Sequence, residues 1–248
     1  MTPEQEASFR EDGYLLIEDA LVGQDLKRAQ DQFLSGQAAA KEAWEAGGKQ
    51  RGFFDIPNVL EYDDIFLDLM DYATTFPLME QVVGSDIQVI GIQARTYPPA
   101  KESYTRWHKD CPPFDHPQYV LKSKLFYYLF DVEENGGCTS FVPGKHKSLE
   151  DIPKFDTPEE MPDHVKMTAR AGTAVIFDTR LWHTAMTNLS QNARICLIYN
   201  YAPFWFKQYA GTIEQAQRLE HRIENPMRRQ LLGIERVAGG NPYLPKVA

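Results

Sequence analysis

Cysteine is scarce in this chain: of 248 residues only three, Cys111, Cys138 and Cys196, are cysteines, and none belongs to a Cys-x-x-Cys pair. That excludes a disulfide framework and fits a reducing compartment. Apolar runs long enough to cross a bilayer are missing too. The opening Met1-Thr2-Pro3-Glu4-Gln5-Glu6 has neither the basic nor the apolar region of a leader, so a cytoplasmic protein with no membrane partner is the expectation. Positive charge is also in short supply. The net charge of -9 argues against nucleic acid or an anionic membrane as the main partner, while leaving room for a local basic pocket. The glycine-rich stretch 47–52 lacks the Gly-Lys-Ser/Thr ending of a phosphate loop, which removes a nucleotide role. The sequence shows no internal repeat and no low-complexity segment.

What is present is an ordinary globular composition, 43% hydrophobic and 25% charged, which leaves no room for a disordered half. The length suits one large domain spanning residues 1–248. Thr2-Pro3-Glu4-Gln5 has the parts of a helix start: an N-cap hydroxyl, proline at the first position and glutamine at the capping-box position. Gly13 should close that helix, and 14–17 should form a strand. Residues 23–46 space Leu26, Ala29, Phe33 and Ala40 as an amphipathic helix. Two short helices broken around Phe76-Pro77, with Gly84 as terminator, are expected between 65 and 84.

From there the periodicity changes. Segments 87–97, 124–130, 138–142, 165–169, 174–177 and 194–201 read as strands separated by glycine and proline turns. Alternation in the first of them places Val89, Gly91, Gln93 and Arg95 on one face. The prolines of 111–117 make that stretch a loop, with His116 as a loop histidine. The acidic, proline-bearing stretch 150–163 reads either as a surface excursion or as a lid over a site. The aromatic run 201–206 reads as core, and a helical tail from 212 to 232 is interrupted at Pro226. Helices first, then many short strands, then a helix: this order predicts a two-sheet β-sandwich or jelly roll with helical buttresses.

The chemistry concentrates in Arg106-Trp107-His108-Lys109-Asp110. On an extended segment His108 and Asp110 project to one side, where they can grip one metal ion, while Trp107 projects away. His183 in Leu181-Trp182-His183-Thr184 supplies a second imidazole, and Trp182 should likewise point into the core. Two imidazoles and one carboxylate form the facial triad associated with non-haem Fe(II) oxygenases, with positions left open for O2 and a co-substrate. One anionic ligand leaves the centre net positive, which suits a 2-oxo acid binding through its 1-carboxylate and 2-keto oxygen. The far carboxylate of such a dicarboxylate needs a cation. Arg194, eleven residues after His183, has the bidentate fork for it.

These residues and their surroundings resemble the phytanoyl-CoA dioxygenase family of Fe(II)/2-oxoglutarate-dependent oxygenases. The resemblance covers nearly the whole chain. It includes Asp12-Gly13-Tyr14 after the opening helix, the 67–84 stretch, Asn135-Gly136-Gly137 leading to Pro143-Gly144-Lys145-His146-Lys147, and Ala171-Gly172-Thr173 before Phe177. It implies a mostly β fold with flanking helices around a double-stranded β-helix, the jelly-roll, cupin-like core. It also implies His108, Asp110 and His183 as Fe(II) ligands, and Arg194 as partner of the 2-oxoglutarate 5-carboxylate. The face of Lys124, Phe126 and Tyr128 is implied as a wall of the co-substrate pocket, with Gln93 a further candidate on its own strand. The family often has a serine or threonine two residues after the distal histidine. Here that position is Ala185, so the hydroxyl contact must come from elsewhere or be missing.

The expected activity is hydroxylation of a small organic molecule, with succinate and CO2 as co-products. Halogenation is disfavoured because Asp110 fills the position that a halide would need. A cupin-like metal-containing binder, or a metalloenzyme that uses no O2, keeps the triad but has no need of Arg194. Substrate and oligomeric state are not legible.

Overall fold

Thr2 caps the first helix as its sequence predicts. Its hydroxyl accepts from the Gln5 amide, and the Gln5 side chain accepts from the Thr2 amide. A computed structural model describes residues 1–47, 52–110 and 119–237; most of the expected 47–52 loop, and the 111–117 loop with Cys111 and His116, lie outside the described residues. The helix α1 (Pro3–Asp12) ends at Gly13, whose φ of 85° is the left-handed conformation expected of a glycine cap. Then come β1 (Tyr14–Ile17), α2 (Gly23–Gly47), β2 (Phe54–Asp55), α3 (Ile65–Asp68) and α4 (Phe76–Val83). Two short helices are present as expected, the second opening at Phe76 and capped by Gly84, and Pro77 marks its start. It lies in the first turn of α4, where its missing N–H would have had no partner in any case.

The strands are β3 (Ile87–Tyr97), β4 (Ser123–Tyr128), β5 (Thr139–Phe141), β6 (Val165–Met167), β7 (Ala174–Asp178), β8 (His183–Ala185) and β9 (Arg194–Pro203), followed by α5 (Ala210–Leu219) and α6 (Pro226–Leu231). The helical tail is interrupted as expected, between α5 and α6, with Pro226 opening the second piece. Two antiparallel sheets result: a six-stranded one in the order β1-β7-β4-β9-β3-β2 and a three-stranded one in the order β6-β5-β8. This is the mostly β, jelly-roll, cupin-like core with flanking helices. No described helix is long and apolar enough to cross a membrane.

Alternation along β4 and β9 divides the interior. Leu125, Tyr127, Leu197, Tyr199 and Tyr201 face the helices, in one core with Phe33 of α2, Phe66 of α3 and Met79 of α4. Three of these tyrosines anchor the segment around α3. Tyr199 donates to the Phe66 carbonyl at 2.7 Å, Tyr201 to that of Met70 at 2.7 Å, and Tyr127 to that of Leu69 at 3.2 Å. Phe126, Tyr128, Cys196 and Ile198 face the other way and pack between the sheets with Phe141, Val175 and Phe177. The site lies on this second side.

Two expectations about faces change. In β3 the pairing register with β9 shifts between Val89 and Gly91. One extra residue in a strand flips every later side chain to the opposite face, so Val89 joins the helix-side core while Gln93 and Arg95 point between the sheets. In the 201–206 run, Tyr201 is buried but Trp205, beyond the end of β9, is 53% exposed.

Candidate metal centre

His108 and Asp110 stand on a short extended segment beside β8. The His108 amide donates to the His183 carbonyl and the His183 amide to that of His108, both at 3.0 Å. The Asp110 amide donates to the Thr179 carbonyl at 2.8 Å. This pairing brings the three side chains to one point, each offering a donor atom within 4.8 Å of the others. Nε2 of His183 lies 3.1 Å from one Asp110 oxygen, and Nε2 of His108 lies 3.7 Å from the other.

Both imidazoles are oriented in the same way. Nδ1 of His108 meets the Arg106 carbonyl, and Nδ1 of His183 the Leu181 carbonyl, each at 2.7 Å. A carbonyl only accepts, so each Nδ1 carries a proton and each ring turns its Nε2 toward the shared point. The His108 imidazole is pushed down to about 4, by burial first and by the neighbouring His183 second; it is neutral at physiological pH. Burial alone would raise the Asp110 carboxyl, but the Lys124 ammonium and the two histidines outweigh it and hold the group well below the usual carboxylate range. Two imidazole nitrogens and one carboxylate are the donor set of a divalent first-row metal.

A cavity of about 280 Å³ runs inward from the triad. Gln93, Lys124 and Arg194 all line it, as do Phe126, Ile198 and Ala185. The Lys124 ammonium pairs with Asp110 at the mouth. Tyr128 shares the face of Lys124 two rows on, opposite Cys196 and between the rows of Ile198 and Arg194, where it is fully buried and its hydroxyl makes no hydrogen bond of good geometry. Burial pushes this phenol far up.

Arg194 is 4% exposed, and among the described residues no carboxylate pairs with it. One nitrogen, Nη1, donates to the Gly137 carbonyl at 2.7 Å and to the Thr139 hydroxyl at 3.3 Å; Nη2 donates to the Tyr104 hydroxyl at 3.2 Å. Its Nε–H is buried without a partner. A buried cation with an unspent donor, at the end of a cavity that begins at a metal-binding triad, fits a dicarboxylate co-substrate.

Sequence reading missed Thr139 and Tyr104. Thr139 stands directly across from Ala185 in the β5–β8 register, which brings a hydroxyl to the place where Ala185 has none. No local signal marks either residue, because their partner lies on a different strand. The second guanidinium of the cavity, Arg95, is already spent on Asp55 through bonds of 2.8 and 2.7 Å and lies 3.9 Å from the centre of the Phe53 ring.

A family model described as phytanoyl-CoA dioxygenase matches residues 9–196. The uncharacterised protein Rv1501 of Mycobacterium tuberculosis is 24% identical over 243 residues, covering 89% of this chain and 82% of its own length. Dioxygenase af480 of Aspergillus fumigatus is also 24% identical, over 71% of this chain and 57% of its own. Among solved structures, HygX from Streptomyces hygroscopicus with nickel and 2-oxoglutarate bound superposes with a TM-score of 0.69 at 14% identity, covering 84% of this chain and 90% of that one. HygX has also been solved with hygromycin B bound, at a TM-score of 0.61 and 16% identity over 84% of this chain and 90% of its own. The epimerase SnoN, in complex with Fe3+, alpha ketoglutarate and nogalamycin RO, gives 0.58 at 19% identity over 80% and 82%. At these identities the structures speak for the fold.

Proposed function

Because the chain belongs to the phytanoyl-CoA dioxygenase family, whose members use Fe(II), 2-oxoglutarate and O2, we propose that it hydroxylates a C–H bond of a small organic molecule at the cavity described above. In this reading His108, Asp110 and His183 hold the Fe(II), and Arg194 holds the 5-carboxylate of 2-oxoglutarate. Together, metal and co-substrate supply a means of activating O2 against a C–H bond, with succinate and CO2 as co-products.

The chain's own residues supply position and charge. The carbonyls of Arg106 and Leu181 hold both imidazoles in the tautomer that can ligate. Lys124 keeps the Asp110 carboxylate ionised and oriented. Phe126 and Ile198 add apolar surface to the cavity wall. Thr139 and Tyr104 supply the hydroxyls around the 5-carboxylate that Ala185 does not.

One observation carries the choice of co-substrate: the buried Nε–H of Arg194 with no partner. Leaving a charge buried and unpaired costs several kcal/mol, so a protein that keeps one there keeps it for an anion. A metal-containing binder would have no use for that residue. The substrate proposed is a natural-product intermediate, as supported by the hygromycin B and nogalamycin RO seen in the structural neighbours.

The test is succinate formation from 2-oxoglutarate with Fe(II) and ascorbate across a metabolite panel, with products read by mass spectrometry. A product heavier by one oxygen atom is expected. Succinate no higher than the Asp110→Ala background would sink the oxygenase reading and leave the binder. Succinate accompanied by an isomer of the substrate would replace hydroxylation by epimerisation.

A further inference from the structure

Strand alternation that turns His108 and Asp110 into the cavity must turn Trp107 and Lys109 out of it, and it turns Trp182 away from the side of His183. All three outward side chains meet one segment, residues 148–164. The Trp107 indole N–H donates to the Pro158 carbonyl at 2.9 Å, and its ring centre lies 5.7 Å from that of His164. The Lys109 ammonium donates to the Ser148 carbonyl at 2.9 Å. Trp182 packs with Trp107, Val142 and Met161 in a separate apolar cluster, with Ile152 and Phe155 against it.

No residue of 148–164 lines the cavity. The segment that reads in sequence as a possible lid therefore lies behind the metal-ligand strands, on the side away from the metal. We propose that it is a clamp: it holds the His108–Asp110 segment and the start of β8 in the geometry that the metal requires, and acts on metal affinity without touching metal, co-substrate or substrate. This rests on the reading of the triad as a metal site.

The need for a clamp is visible in the backbone. His108 belongs to no extended strand; it makes one isolated bridge with His183. The Asp110 amide adds a single bond to Thr179. So few ladder bonds would let the segment open locally at little cost, and the spread of three donor atoms would widen with it. The outward contacts skirt an open groove. A groove of about 520 Å³, with Arg106 on one wall and Ile152 and Phe155 on the other, separates the 101–107 segment from 152–158. The Trp107 bond crosses the edge of this groove, and with the Lys109 bond and the Trp107–Trp182 apolar cluster it ties the His108–Asp110 segment to 148–164. Trp107, Lys109 and Trp182 are positioning residues.

The experiment titrates Co(II) into the metal-free chain, following its d–d absorption, at a temperature below the melting transition of every variant. Trp107→Phe keeps an aromatic ring but loses the pyrrole half of the indole with its N–H; Lys109→Met keeps the stem and loses the ammonium. Orienting groups behind metal ligands are worth 10- to 100-fold in affinity when they touch the ligand itself. These act one step further back, so the double variant should bind Co(II) about tenfold more weakly, near the lower end of that range. Lys109→Arg, which still reaches the Ser148 carbonyl, should recover the loss of Lys109→Met. Lys109→Met and Lys109→Arg are also compared alone, so a Trp107→Phe chain that fails to fold does not remove the test. With the metal saturating, 2-oxoglutarate affinity should match wild type.

If the double variant and Lys109→Met bind Co(II) as wild type does while Asp110→Ala loses it, the clamp is wrong and the metal site stands. If wild type itself binds no Co(II), the functional reading fails first. A loss of 2-oxoglutarate affinity exceeding the loss of metal affinity would move the segment to the co-substrate pocket and overturn the proposal.

Discussion

Arg194 separates the oxygenase from a mere metal binder, because its guanidinium is buried with no carboxylate among the described residues. Arg194→Leu should weaken 2-oxoglutarate about a hundredfold, the equivalent of roughly 3 kcal/mol for an anion left unpaired in a buried site. Fe(II) affinity should be unchanged. Arg194→Lys should fall between, since a point charge remains but the planar fork does not. Titration into the anaerobic Fe(II) protein, followed by the charge-transfer band expected of this family, gives the affinities. Equal values for wild type and Arg194→Leu would remove Arg194 from the site. Thr139→Val tests the hydroxyl that stands across from Ala185. The loss of one hydrogen bond, about 1 kcal/mol, should weaken 2-oxoglutarate roughly fivefold, and no change would return the role to Tyr104 alone. The triad and Arg194 could be found in the sequence because their chemistry lies in residue type and spacing. Thr139 and Tyr104 could not, because a hydroxyl acquires this role only through a neighbour distant in sequence.

Among the elements, the turn before β7 is the least tolerant of change. The Gly172 amide donates to the Tyr128 carbonyl at 2.8 Å, and its own carbonyl accepts from the Leu21 amide at 2.9 Å, so this one residue ties β4 to the chain entering α2. Its φ is +90°, and a Cβ there would stand 2.1 Å from the Leu21 carbonyl oxygen. Backbone cannot yield as the end of a side chain can. Gly172→Ala should therefore cost about 2 kcal/mol or more, from left-handed strain with the clash added. The urea midpoint reads it; an unshifted midpoint would mean that the turn has another conformation at no cost. The opening helix with its glycine cap and the bounds of β3 follow from local pattern, and both match the structure. The helix breaks near Pro77 and Pro226 are present as well; only the side of the break was open, because proline is equally compatible with ending one element and opening the next. The bulge in β3 has no local signature either: it exists only as a register against β9.

Across the whole molecule, the six-stranded sheet divides stability from function. Its helix-side face holds Leu125, Tyr199 and the packing of α2 to α4, while its other face carries Lys124, Ile198 and Arg194. Leu125→Ala, at a fully buried site on the helix side, should lower stability by about 2–5 kcal/mol through lost burial and the cavity left behind. Below the unfolding transition, Co(II) affinity should stay within about twofold of wild type, because sites without shared partners add independently. A metal affinity that fell together with stability would show that the two faces are coupled.

Hydrophobic periodicity, capping and turn residues are properties of neighbours along the chain. The sequence alone therefore determined the strand-rich architecture, nearly all the elements, and the four residues on which the proposed chemistry rests. Contacts between remote strands are not such properties. Only the tertiary structure decided that Val89 leaves the face of Gln93, that Thr139 stands opposite Ala185, that Tyr128 is fully buried opposite Cys196, and that residues 148–164 pack against Trp107 and Trp182. Each depends on a register, and a slip of one residue in a register inverts every side chain that follows while leaving the local pattern unchanged.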